Sequence, residues 1–148
     1  MTARRKAVNL EQMLAECETP EWKQRFEEDN RYLREIVYAG LKDLNDGFDS
    51  PLIGHFSPAD FLTLIDRCES LHIQIIGIEF FKIIDVGPPS RVMYLQCEIS
   101  PEAGYKWARR LVRKYLRRRR ITVSATFEVP RPLPAKADDS SSKRSCNG

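Results

Sequence analysis

The chain has 148 residues, of which 42% are apolar and 30% charged, and its formal net charge is +3. That is ordinary for a single cytoplasmic globular domain with a real core. No apolar run approaches the ~20 residues of a membrane-spanning helix, so such a helix is excluded.

Met1–Lys6 is basic, but Ala7–Glu18 is an acid-bearing amphipathic stretch rather than the apolar centre of a signal peptide. A cytoplasmic location is therefore expected, and a short helix is expected over Leu10–Glu16. Three later segments share one helix-start grammar: Thr19-Pro20-Glu21, Ser57-Pro58-Ala59-Asp60 and Ser100-Pro101-Glu102. Each offers a hydroxyl at the N-cap, proline at the first helical position and a carboxylate in the positively polarised first turn.

The first long helix is expected from Pro20 to Leu44, with Trp22, Phe26, Leu33, Val37, Leu41 and Leu44 forming an apolar stripe. Trp22 and Phe26 are expected to anchor it to the core. Asp46-Gly47 ends it, and Asp49–Phe56, with Pro51 and Gly54, reads as a loop. A compact helix from Ser57 to Ser70 follows. Ile73–Ile84 is β-branched or aromatic almost throughout and predicts a largely buried strand. Gly87–Ser90 is the turn into a partner strand over Arg91–Ile99. Simple alternation there puts Val92 and Tyr94 on one face, and Met93, Leu95, Cys97 and Ile99 on the other, with Cys97 in the core. A helix from Pro101 leads to Ile121–Val129, whose alternation predicts one dry and one wet face.

The expected fold is α+β. An antiparallel or mixed three-stranded sheet in α-β-β-α-β order is packed by helices on one face and preceded by an N-terminal helical arm. Residues 1–56 form the arm and loop, 57–130 the core, and 131–148 a disordered polar tail, with arm and core one folded unit.

Charge is distributed very unevenly along this chain. Nine of the eighteen residues of Ala103–Arg120 are Lys or Arg and none is acidic, whereas Ala7–Glu102 carries a formal charge of −10. On a helical wheel Ala108, Leu111, Val112 and Tyr115 gather on one side and the cations on the other. A helix over Glu102–Arg119 would extend roughly 27 Å, enough to set several cations against successive phosphates. Lys106, Arg109, Arg110, Arg113, Lys114, Arg117, Arg118, Arg119 and Arg120 are thus the expected nucleic-acid contacts. Such contacts confer affinity rather than base preference. The bland alternative is neutralisation by the chain's own carboxylates or by those of a second copy in a homodimer. The apolar side of the helix is needed by the fold, which argues against a membrane ligand.

A reading of another class gives the acidic arm the function. Glu27, Glu28, Asp29 and Glu35 would then cap a basic partner protein, as small inhibitors and toxin-neutralising immunity proteins do.

No residue pattern names a reaction, and a non-enzymatic binding protein is expected. His55 is the best single candidate for a general base, and with the Arg-rich surface it would suit a small metal-independent ribonuclease. Glu79 is expected at a solvent-facing sheet edge or paired with a cation. Cys17, Cys68, Cys97 and Cys146 contain no C-x-x-C pair, and only Cys68 has a nearby histidine, His72. No metal or cofactor is expected: phosphate-cradling glycine motifs and KH or RNA-recognition signatures are absent.

Overall fold

Three segments rich in β-branched and aromatic residues pair into one antiparallel sheet: β1 (Gln74–Asp85), β2 (Arg91–Ile99) and β3 (Ile121–Glu128). The computed structural model describes residues 20–101 and 104–135. The strand order is β2-β1-β3, so the most apolar strand lies in the centre. Helices α1 (Pro20–Tyr32), α2 (Pro58–Ser70) and α3 (Tyr105–Arg113) complete the α+β fold. Ile78 and Phe80 of β1 and Val123 of β3 meet Phe61, Leu64 and Ile65 of α2 and Ala108 and Val112 of α3 in one core. Tyr32, Leu33 and Val37 at the end of the first helix belong to the same core.

Helix α2 starts as its sequence dictates. The Ser57 hydroxyl accepts a 3.2 Å hydrogen bond from the Asp60 amide, and Pro58 takes the first helical position. The first helix likewise begins at Pro20 with Glu21 in its first turn, and only the third start differs. Thr19 lies outside the described residues, as do the expected helix over Leu10–Glu16 and the ends containing Cys17 and Cys146. At Ser100 the hydroxyl donates to the Pro101 carbonyl instead of capping, and α3 begins only at Tyr105.

The first helix is shorter than expected. It widens into a π-turn over Leu33–Val37 and stops near Gly40, whose φ of +75° is the left-handed conformation that closes many helices. Arg67 of α2 donates to the free carbonyls of Val37 and Ala39, at 2.9 and 2.6 Å. Leu41 and Leu44 consequently lie in a loop. Trp22 and Phe26 lie outside the core of the described residues: they stack on each other at 5.1 Å and remain substantially exposed.

The loop 41–56 is organised by short polar side chains. Asn45 donates to the carbonyls of Ser50 and Ile53 and accepts from the amides of Gly47 and Asp49. Phe56 then makes a two-bond bridge with Val123, closing part of the free edge of β3. This loop packs on the sheet face opposite the helices, and it changes the expected alternation of β3. Thr122 and Ser124, assigned to a wet face, are buried.

Two register shifts revise the faces of the hairpin. Phe80 pairs with Gln96 and Phe81 with Tyr94, leaving Leu95 as a bulge. Tyr94 therefore shares a face with Cys97, and Cys97 is exposed rather than core. Glu79 sits on the central strand opposite Ser124 and Cys97, not at a sheet edge.

The hairpin turn is tied to the loop by Asp46, whose carboxylate accepts from the Ser90 amide at 2.9 Å and the Ser90 hydroxyl at 2.7 Å. These bonds hold its pKa below the ordinary carboxylate value. A depressed folded-state pKa contributes stability above the unfolded value and loses it as pH falls through the folded value. The stability gap between wild type and Asp46→Ala is therefore expected to be widest at neutral pH and to shrink below about pH 4. Urea titrations at several pH values measure it, and a gap that widens in acid would contradict the assignment.

Candidate functional site

The cationic surface grows from the shape of α3 and the chain that follows it. Ala108, Leu111 and Val112 are buried, which fixes the rotation of the helix and turns Lys106, Arg110, Arg113 and Lys114 outward. Arg109 lies at the edge of this arc, next to α2. It donates to Asp66 at 2.8 Å and Glu69 at 2.5 Å, and the bonds to Glu69 and Asp66 push its pKa higher still. Arg109 is thus a paired cation that ties α3 to α2. None of the other eight cations forms an ion pair among the described residues, and all eight are exposed.

The helix is half the expected length. Its nine residues cover about 14 Å. Beyond Arg113 the backbone tightens to i→i−3 bonds, with Lys114, Tyr115, Leu116 and Arg118 amides reaching Leu111, Val112, Arg113 and Tyr115 carbonyls. Two forces explain the early end. Crowded like charges at i,i+3 and i,i+4 disfavour a longer helix, and the chain must turn to place Ile121 beside Lys82 on β1. Arg120 makes that turn with a left-handed φ of 61° while its carbonyl accepts from the Ile83 amide at 2.7 Å.

Tyr115 positions the ribbon Arg117–Arg120. Its ring stacks on Phe80 at 4.2 Å, its hydroxyl bonds Gln96, and the Arg118 guanidinium lies 5.0 Å from its centroid on a cation–π contact. The result is a short helix face and an irregular ribbon joined through one aromatic pivot. Lys82 adds a further cation from β1, in register with Ile121. Neither contribution is visible from helical periodicity, because Tyr115 reads there as an ordinary core residue.

The other candidates divide. Of the acidic set, Asp29 and Glu28 face Arg131, at 2.6 and 3.6 Å, and are partly neutralised by it. Of the segment assigned to a tail, residues 131–135 run along the first helix, where Tyr32 donates to the Pro134 carbonyl at 3.0 Å. The rest of that segment lies outside the described residues. Glu27 and Glu35 border a groove of about 720 Å³ shared with the Trp22–Phe26 stack.

His55 is fully buried. Its Nε2 lies 2.7 Å from Asp49 Oδ2 and its Nδ1 3.2 Å from Thr122 Oγ1, between the rings of Phe48 and Phe81. A carboxylate only accepts, so Nε2 carries a proton, and in the neutral ring Thr122 donates to Nδ1. With both nitrogens engaged and no exposed surface, the group fastens the loop to the sheet and has no open side for a substrate. On the same sheet face Tyr94 neighbours Cys97 and Glu79. Desolvation, followed by those two groups, pushes its phenol pKa up. Cys68 is buried among apolar groups, which pushes its thiol to about 12. Among the described residues no three His, Cys, Asp or Glu side chains are grouped to hold a metal, and no helix is long and apolar enough to cross a membrane.

No protein-family model, curated protein or solved structure matches the chain.

Proposed function

We propose that the chain binds nucleic acid through its sugar-phosphate backbone. The observation that carries this reading is the set of eight exposed cations, Lys106, Arg110, Arg113, Lys114 and Arg117–Arg120, with no ion pair among the described residues. Holding so many like charges on one short segment is unfavourable for folding alone, and an external polyanion relieves it. Arginine predominates, and its planar fork engages phosphate oxygens in pairs. The contacts supply affinity without base choice. A gel-shift titration at low salt, on duplex and single-stranded DNA and RNA of unrelated sequence, tests this. Retarded complexes are expected irrespective of sequence, and the absence of any complex would remove the proposal.

A second reading, in which the acidic arm caps a basic protein, draws on the exposed Trp22–Phe26 stack beside Glu27 and Glu35. Stacked aromatics ringed by charge are common interface anchors. Its contacts lie on α1, so substitutions in the cationic segment discriminate between the two.

A further inference from the structure

Resting on the backbone-binding proposal, we infer that the preferred ligand is an unpaired strand, one of whose bases lies in an apolar groove beside Arg118–Arg120. The sheet extends past the end of α3, and its helix-side face is left uncovered there. Lys82, Met93 and Ile121 stand side by side across β1, β2 and β3; Met93 and Ile121 with Ile84 give a groove of about 750 Å³ its apolar floor, and Lys82 adds a cation to it. Arg118, Arg119 and Arg120 form its wall.

Two features of this groove call for an occupant. Ile84 and Met93 are 45% and 47% exposed on a face where neighbouring Phe80 is wholly buried. A strand face that only met solvent would carry polar residues in those places. The cations beside it select an anionic ligand, and the floor selects one that also brings a flat apolar surface. An unpaired nucleotide has both, with its phosphate for the arginines and its base for the floor. A duplex does not, because its base faces are stacked inside and only base edges, sugars and phosphates reach the protein. The groove is within the size range of small-ligand clefts, and the Tyr115 pivot holds Arg118 in place before a ligand arrives.

The test compares a fluorescent oligothymidylate, the same strand in a duplex, and a strand of equal length made of abasic sites. Wild type is expected to bind the oligothymidylate about tenfold more tightly than the other two at equal salt. The double variant Ile84→Gln, Met93→Gln alters two exposed side chains and should keep the wild-type circular dichroism spectrum. It is expected to lose that tenfold preference while keeping its duplex affinity. Equal affinity for all three probes, unchanged in the double variant, would overturn the inference and leave the backbone proposal standing. Failure of every probe to bind would end both. Binding of the wild type to phosphatidylserine vesicles in place of all the oligonucleotides would also overturn it.

Discussion

Changing Arg110, Arg113 and Arg117 to Glu together is expected to weaken nucleic-acid binding by about a hundredfold or more at low salt. Each substitution removes an attraction to phosphate and adds a repulsion. The three positions lie on the outward side of α3 and the start of the ribbon, exposed and without a carboxylate partner among the described residues. The fold should survive, since no buried contact is touched and a cluster of like charges is dispersed. Arg109→Gln is the informative contrast. Its guanidinium is already shared between Asp66 and Glu69, so its loss should loosen the α2–α3 contact more than it weakens binding. Fluorescence anisotropy with a labelled oligonucleotide, alongside thermal melts of each variant, separates these outcomes. A triple variant that still binds within threefold of wild type would shift weight to the acidic arm.

The second large effect concerns stability. His55→Ala is expected to destabilise the protein by about 2–4 kcal/mol. It removes a wholly buried ring and leaves Asp49 and Thr122 each short of a partner. Orphaned polar groups cost roughly 1–3 kcal/mol each, and the vacated space adds to that. Asp49 is partly exposed and can recover water, so Asp49→Ala should cost less. Because the two residues share one bond, the double variant should cost clearly less than the sum of the singles. Urea unfolding of the two single variants and the double variant measures the coupling. A His55→Ala change within about 0.5 kcal/mol of wild type would show that the loop is held by something else.

Much of the scaffold is legible in the residues. Ser57-Pro58 with Asp60 fixes the start of α2, because the capping chemistry is local. The apolar run after Ile73, the Gly87–Ser90 turn and the alternation after Ile121 locate all three strands to within a residue. Features that depend on another part of the chain are not legible. The apolar period through Leu41 and Leu44 continues past the true end of the first helix, and only Gly40 and the caps from Arg67 explain why it stops. The bulge at Leu95 moves Tyr94 onto the face of Cys97, and alternation along one strand cannot show such a slip. Thr122 is buried against His55, some seventy residues earlier in the chain.

The candidate site is legible in composition but not in shape. Nine cations in eighteen residues are plain to see, and the wheel correctly turns Ala108, Leu111 and Val112 inward. That Arg109 meets two carboxylates of α2, and that the helix ends at Arg113 to return the chain to Lys82, follows from tertiary packing alone.

The central claim is that these cations are free to displace counterions from a polyanion. The slope of log K against log salt for duplex DNA measures it most directly. With about five phosphates engaged, the slope should lie near −4 to −5. A slope near zero would mean that the cationic segment serves the protein's own fold rather than a nucleic acid.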